Sequence, residues 1–251
     1  MIRSFHAVPV ILLVAAFLIG GARLLDAAPA VDCRVPPELI EDDPKLPVVA
    51  EHFAAKQPIT IVAIGGASTA GTAAGDGEAN SYPHRLEEAL RRRHPGIPIT
   101  VINVAIPRQT TSDMVQRFAT DVAPRNPTLV IWETGTVDAV RRVDVDQFAA
   151  AMQDGIAALR QHNFDIFLVN MQYNPSTGSV IDFEPYLEAL RHAADLDDVS
   201  VFRRFEIMKY WSDNDVFNFV DVPKDQRLRL AEEVYRCLGE NLAQAIDFAA
   251  K

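Results

Sequence analysis

Basic residues are scarce in this sequence, and no long run of Lys and Arg occurs in it. The 251 residues contain 24 Lys and Arg against 34 Asp and Glu, for a formal net charge of −10. A protein that grips nucleic-acid phosphates needs clustered cations, so we expect no nucleic-acid partner. The one basic cluster, RLEEALRRRHPG at residues 85–96, is typical of the C-terminal end of an amphipathic helix, where cations suit the helix dipole.

Motifs that hold metals or nucleotides are also missing. No Cys and His cluster has zinc-site spacing, and the acidic stretches at 74–80 and 212–218 do not match the ligand spacing of a calcium loop. The stretch GGASTAG (65–71) lacks the Lys of a phosphate loop and the G-x-G-x-x-G of a dinucleotide site. We therefore expect neither a metal nor a cofactor.

The N-terminus has an apolar run, from Ala7 to about Ile19, that is short for a membrane span of roughly 20 residues. It follows Arg3 and precedes an A-x-A pattern at Ala28–Ala30, which predicts a signal peptide over residues 1–30 and export to the periplasm or the exterior. An uncleaved N-terminal anchor is the alternative, and it would be the chain's one membrane contact. A linker is expected over residues 31–57 and a single domain over 58–251.

Only two cysteines are present, Cys33 near the start of the exported chain and Cys237 in its last helical stretch. In an oxidising compartment such a pair can join the two ends of a domain, which predicts a disulfide. Two unpaired thiols, one exposed and one in the core, are the alternative.

Past the linker, short apolar runs alternate with amphipathic stretches. Strands that are apolar on nearly every residue are buried on both faces, as in parallel sheets with crossover helices. The pattern predicts an α/β fold of three layers, a flavodoxin-like doubly wound sheet of about five parallel strands. The predicted strands are 59–65, 99–105, 128–134, 164–170 and 199–202, and the predicted helices lie near 81–93, 111–122, 145–162, 182–195 and 226–248.

Four segments at the strand ends resemble the blocks of the SGNH/GDSL hydrolases, in the same order and over essentially the whole of residues 58–248. IVAIGGASTAG is similar to the first block, which ends in Gly-Asp-Ser-x-Thr-x-Gly. VINVAIPRQTTSDM resembles the second, VIWETGTVDA resembles the Gly-x-Asn-Asp of the third, and DQRLRLAEEVYRCLGENLAQAI resembles the Asp-x-x-His block before the C-terminal helix. The resemblance implies the SGNH hydrolase fold.

The same resemblance implies a nucleophilic Ser, a His base oriented by an Asp, and an oxyanion hole made by a Gly and an Asn. In this sequence, however, the nucleophile position is Ala67 and the base position is Arg229. The Asp before the nucleophile, the oxyanion-hole Gly and Asn, and the Asp that orients the base are replaced by Gly66, Arg108, Val137 and Gln226, whereas Asp138 is unchanged. The positions expected to line the cleft are Gly66, Ala67, Ser68, Arg108, Val137, Asp138, Gln226 and Arg229.

An alanine methyl cannot attack an ester, and a guanidinium that stays protonated cannot serve as a base. The sequence therefore favours a binding or accessory protein of the cell envelope over an enzyme. Arg108 and Arg229 would then attract an anionic small molecule or an acidic saccharide into the cleft. Alternatively, each Arg pairs with a neighbouring acid such as Asp225 or Glu133 and fills the cleft.

An active ester or acyl hydrolase, acting on envelope carbohydrate or lipid esters, is the other hypothesis. It would need Ser68 as a displaced nucleophile, with Asp138 nearby. No His lies in the final block, and His84 at the start of a helix is the one that could approach. A surface position for His84 is the simpler interpretation.

Overall fold

Five parallel strands form the central sheet. They are β1 (Ile59–Ile64), β2 (Ile99–Asn103), β3 (Leu129–Glu133), β4 (Asp165–Val169) and β5 (Ser200–Phe202). Their spatial order is β2-β1-β3-β4-β5, and every neighbouring pair is parallel. This is the order of a flavodoxin-like doubly wound sheet, so the predicted fold class and all five predicted strands are confirmed.

The structure, a computed structural model, describes residues 1–2, 31–41 and 45–251. Residues 31–251 form one compact unit. The signal peptide predicted over residues 1–30 lies outside the described residues, apart from its first two positions. Among the described helices, none has both the length and the apolar character needed to span a bilayer.

Helices cover both faces of the sheet. They are α1 (Pro47–Ala55), α2 (Tyr82–Arg93), α3 (Thr111–Val115), α4 (Thr136–Arg141), α5 (Val145–Leu159), α6 (Pro175–Gly178), α7 (Glu184–Leu196), α8 (Arg204–Asp213) and α9 (Arg227–Ala249). One apolar core joins α1, α2, α8 and α9 to the sheet, and a second joins α3, α5 and α7 to its other face. Successive strand residues contribute side chains to opposite cores: Ile61 packs in the first core and Val62 in the second. The strands are therefore mostly apolar because both faces of the sheet are covered.

Helix α1 lies within the segment expected to be a linker. It starts with Pro47, and its Val49 amide donates to the Asp165 carboxylate of β4 at 2.8 Å. Leu46 and Val49 are buried. The acceptor Asp165 lies 116 residues away along the chain, and Leu46 at the N-cap makes no side-chain hydrogen bond. The sequence around Pro47 therefore carries no side-chain capping signal.

The helix predicted over 111–122 is interrupted. Thr110 and Asp113 form a capping box that starts α3, and the chain then passes into a π-helical turn at Phe118–Val122 and a 3₁₀ turn at Ala123–Arg125. The helical segment ends at Asn126, whose left-handed φ of 45° stops a right-handed helix.

The predicted disulfide is confirmed, since Cys33 is bonded to Cys237 of α9. Two further hydrogen bonds hold the same segment: Asn241 Nδ2 donates to the Cys33 carbonyl at 2.8 Å, and Arg236 Nη2 donates to the Val31 carbonyl at 3.0 Å. The start of the described domain is therefore attached to its C-terminal helix.

Candidate functional site

The turn that follows β1 brings Ala67 and Ser68 to the carboxyl edge of the sheet, where ligands bind in doubly wound folds. Gly65 begins the turn at a position with no room for a side chain, because a Cβ there would lie 2.3 Å from Thr69 Oγ1. The amide of Ala70 donates to the Gly66 carbonyl at 3.0 Å and closes the turn. Ala67 is exposed at its tip and Ser68 is half-buried. We call this turn, residues 65–71, the elbow.

Ser68 contacts a buried cation that the sequence did not single out. Its Oγ accepts a hydrogen bond of 2.5 Å from Nη1 of Arg204, the first residue of α8. The other terminal nitrogen of Arg204 donates to Glu133 Oε1 at 3.0 Å, and both side chains of this ion pair are at most 3 % exposed. The guanidinium therefore lies beneath the elbow with its charge compensated by the carboxylate at the end of β3.

Glu133 also joins the ion pair to the elbow backbone. Its Oε2 accepts from the Gly66 amide at 2.8 Å and from Thr69 Oγ1 at 3.0 Å. Thr69 Oγ1 lies in turn 2.9 Å from the hydroxyl of Tyr82. Burial, with the nearby Glu133 carboxylate, raises the pKa of the Tyr82 hydroxyl, so this group remains a neutral donor. The network thus fixes the elbow to one strand, β3, and to two helices, α2 and α8.

A small cavity of about 60 Å³ lies beside the elbow. Its walls carry methyl, thioether, hydroxyl and amide groups and the Glu133 carboxylate, and they include Val137, the position where the resemblance implies an Asn. The lining includes Ala67, Ser68, Gln109, Met114, Val137 and Gln172. Since the charges of Arg204 and Glu133 compensate one another, the surroundings of this cavity carry little net charge.

Asp138, the unchanged Asp of the third family block, is engaged elsewhere. It is buried, and its carboxylate accepts from the Thr111 amide and from Thr111 Oγ1 at 2.9 Å. Burial raises the pKa of the Asp138 carboxyl, while the bonds from Thr111 oppose that shift. The side chain therefore anchors the start of α3 and does not contact Ser68.

The two arginines expected in one cleft lie on different surfaces. Arg108 is exposed, with a left-handed φ of 69°, and its carbonyl accepts from Arg141 Nη2 at 3.0 Å. Gln226 and Arg229 are exposed at the start of α9 and line a separate groove with Phe217. Neither arginine lines the elbow cavity, so the structure does not support the expected double-arginine cleft. Glu133 pairs with Arg204 instead of with either of them.

The described histidines do not supply a base to the elbow. His84 lies on α2, half-exposed, with Nε2 3.8 Å from Glu88, and His94 contacts Asp247 at 2.7 Å. Among residues 31–41 and 45–251, the one side-chain hydrogen bond of Ser68 is that from Arg204. Those same ranges contain no group of three or more His, Cys, Asp or Glu placed to hold a metal ion.

Arg204 escaped the sequence reasoning although a signal for it exists. It comes two residues after the last residue of β5, at the same sheet edge as the other candidates. Its place at the carboxyl end of β5 is the available signal, because ligands bind at that edge of doubly wound sheets. Its pairing with Glu133 leaves no local signal, since the two positions are 71 residues apart.

The fold defines a class of protein. A G-D-S-L family protein from Desulfitobacterium hafniense DCB-2 is 20% identical, with a TM-score of 0.58, over 74% of this chain and 99% of that one. The acetylxylan esterase Axe2 from Geobacillus stearothermophilus is 16% identical with a TM-score of 0.57, over 73% and 94% of the two chains. AlinE4, an SGNH-hydrolase family esterase, is 27% identical with a TM-score of 0.53, over 66% and 86%. This chain therefore has the SGNH/GDSL hydrolase fold, as its sequence blocks predicted.

Residues 32–251 match the model of the non-GDSL lipase-like family, and the chain belongs to that family. No curated protein sequence matches it. Membership of a non-GDSL family agrees with the changed elbow, where Gly66 and Ala67 stand in place of the Asp and Ser of the G-D-S-L block.

Proposed function

We propose that this chain is an exported SGNH-fold protein that binds a ligand at the carboxyl edge of its sheet without hydrolysing esters. The observation that carries the proposal is the hydrogen bond between Ser68 and the buried Arg204, together with the methyl group at the tip of the elbow. The resemblance assigns the nucleophile position to Ala67, whose side chain is a methyl group.

The chemistry of the elbow supports binding over hydrolysis. Ser68 could attack an acyl carbon only if a neighbouring group accepted its proton, and a guanidinium has no acceptor site. In a serine protease, loss of the nucleophile or of the base alone costs about 10⁶ in turnover. Here Ala67 stands at the nucleophile position. Among the described residues, no group that could act as a base contacts Ser68.

Export is proposed from two features at the start of the chain. The sequence of residues 1–30 has the organisation of a signal peptide, and the Cys33–Cys237 bond suits an oxidising compartment. Either cleavage after Ala30 or retention of an anchor is compatible with this proposal. The protein would act in the cell envelope in both cases.

The ligand we propose is a saccharide of the envelope instead of an anion held between two arginines. The elbow cavity, at about 60 Å³, is too small to enclose a sugar ring, so its hydroxyl and amide groups would contact only the end of a neutral polar ligand that lies along the edge of the sheet. Arg108 contacts Arg141, Arg229 lines a different groove, and neither lines the elbow cavity, which supports a neutral ligand over an anion held by both.

A chromogenic short-chain ester assay tests the absence of hydrolysis. We expect turnover by the wild-type chain to equal that of the Ser68→Ala variant, because the Ser68 hydroxyl has no base. A fluorophosphonate probe should leave the chain unlabelled for the same reason. Turnover that disappears in Ser68→Ala, or a label on Ser68, would establish the displaced hydrolase site and reject the proposal.

A second variant separates the missing nucleophile from the missing base. Ala67→Ser restores a hydroxyl at the exposed tip of the elbow, but it adds no proton acceptor. We therefore expect this variant to remain inactive in the same assay. Ester turnover by Ala67→Ser would show that a base is already present.

A further inference from the structure

We propose that a groove beside the elbow cavity binds an oligosaccharide of amino sugars that carry free ammonium groups. This inference rests on the proposed function, because it assigns a ligand to the same edge of the sheet. The groove has a volume of about 720 Å³ and follows the end of β4. We call it the aromatic groove, and its lining includes Tyr173, Val180, Asp182, Phe183, Glu184 and Phe205.

The aromatic groove is placed next to the elbow by two short connections. Gln172 lines the elbow cavity, and the next residue, Tyr173, lines the groove. In the first turn of α8, Arg204 contacts Ser68 and Phe205 forms part of the groove wall. A ligand lying in the groove would therefore extend towards the elbow.

Three rings give the groove its apolar wall. Tyr173 and Phe205 pack edge to face, with ring centroids 5.2 Å apart and an interplanar angle of 86°. Phe183 lies 6.0 Å from Phe205 and is 4 % exposed, so the base of this cluster is fixed in the core. Packed rings present rigid apolar surface at little entropic cost, and the C–H faces of a pyranose ring match such a surface.

The charged groups in the groove are of one sign. Its lining, all within the described part of the chain, contains the exposed acids Asp182 and Glu184 and no Lys, Arg or His. Asp182 Oδ1 accepts from the Glu184 amide at 3.1 Å, which orients this carboxylate and leaves its second oxygen available to a ligand. A cationic ligand is favoured over an anionic one by charge-assisted hydrogen bonds to such carboxylates.

Lys209 shows that an ammonium group is accepted at the rim of this cluster. Its Nζ lies 5.9 Å from the centroid of the Tyr173 ring while it pairs with Asp213. This distance is within the range of cation–π attraction. The contact shows that an ammonium group is tolerated beside the Tyr173 ring when a carboxylate compensates its charge.

An amino sugar satisfies both halves of the groove at once. A neutral sugar would cover the rings but would leave the two carboxylates partly desolvated without a partner, which costs free energy. A small amine would pair with the carboxylates but would leave the rings exposed. A volume of 720 Å³ lies within the range of about 300–1,000 Å³ found for small-molecule sites, which suits a few linked sugar residues.

Isothermal titration calorimetry of the full chain with two matched tetrasaccharides tests the inference. The probes are the β-1,4-linked glucosamine tetramer and its fully N-acetylated form, which differ in the ammonium groups. We expect the acetylated tetramer to bind at least about tenfold more weakly, because it cannot form the charge-assisted bonds. The double variant Asp182→Asn/Glu184→Gln should bring the two affinities together.

A matched control lies on the same helix. Glu188→Gln removes an exposed charge one turn along α7 from Glu184, outside the groove lining, and should preserve the preference. Tyr173→Ala should weaken both tetramers because it removes part of the apolar wall. Circular dichroism of each variant establishes that the fold is retained, and Asp182→Asn alone replaces the double variant if that one unfolds.

Three outcomes would overturn the inference: no binding of the glucosamine tetramer, equal binding of the two tetramers, or a preference that survives loss of both acids. Each of them leaves the proposed function intact as long as the ester assay shows no turnover. Ester hydrolysis that depends on Ser68 would reject the proposed function instead, so the two failures are distinguishable.

Discussion

Ala67 and Ser68 are consecutive residues of the elbow, but their surroundings differ. Ala67 is exposed at the tip and presents a methyl group to the solvent, whereas Ser68 turns towards a buried guanidinium. The Ser68 hydroxyl therefore lies one position later along the turn than the position that the family block assigns to the nucleophile. Its structural partner there is Arg204.

Arg204 is the residue whose replacement should affect the elbow most. Arg204→Met would leave the Glu133 carboxylate buried without its cation, and removal of one partner from a buried pair typically costs about 3–5 kcal/mol. We expect the free energy of unfolding to fall by that amount in urea titrations. The Nε of Arg204 has no hydrogen-bond partner within the described residues, so the loss should arise from the pair and the Ser68 contact.

Lys209→Met provides the comparison, because Lys209 lies on the same helix in an exposed pair with Asp213. Exposed ion pairs contribute roughly 0–1 kcal/mol, so this variant should unfold at nearly the wild-type urea concentration. If Arg204→Met were no less stable than Lys209→Met, the buried ion pair would not be what holds the elbow.

At the scale of the elements, α2 and α9 pack on the same face of the sheet, close enough to exclude a side chain at one point. Gly239 of α9 faces the backbone of α2: a Cβ there would lie 2.7 Å from the Arg85 carbonyl carbon and from the Leu86 amide nitrogen. These contacts are with backbone, which cannot rotate away as a flexible side chain can. Glycine at this position sets the distance between the two helices.

Gly239→Ala should therefore destabilise the fold, although alanine favours a helix more than glycine does by about 1 kcal/mol. Forcing the helices apart typically costs about 1–3 kcal/mol, and we expect this loss to exceed the gain in propensity. Thermal unfolding followed by circular dichroism would measure the net change as a lower Tm.

The control is Gly178→Ala in α6, where an added Cβ would meet no atom within 4 Å. At this position the higher helix propensity of alanine should be the only effect, so Tm should be unchanged or slightly raised. Equal effects at Gly178 and Gly239 would mean that the α2–α9 contact is looser than the structure shows.

At the scale of the whole molecule, the Cys33–Cys237 disulfide closes a loop with a sequence separation of 204. A cross-link of this kind restricts the unfolded chain and typically stabilises the folded state by about 2–4 kcal/mol. We expect a reductant, or the double variant Cys33→Ser/Cys237→Ser, to lower the midpoint of denaturant unfolding accordingly. The double variant should then be insensitive to the reductant, and a reductant effect that persists in it would argue against the disulfide as the cause.

Much of this architecture was predictable because its signals are local. Apolar runs buried on both faces identified the five strands, and the family blocks identified the fold and the changed elbow residues. The start of α1 was not predictable, because its acceptor is Asp165 on a distant strand. The double-arginine cleft was predicted from sequence positions alone. Those positions do not reveal that Arg108 contacts Arg141, whereas Arg229 lines a different groove.

The amino-acid sequence by itself determined the fold and the absence of a Ser at the elbow tip, since a repeating apolar pattern and a residue type are properties of the chain. The tertiary structure alone decided what stands beneath the elbow. Arg204 and Glu133 meet because β3 and β5 end at the same edge of the sheet, 71 residues apart along the chain. Both charged groups are buried away from water, so each needs the other as its partner. No local sequence pattern encodes this pairing.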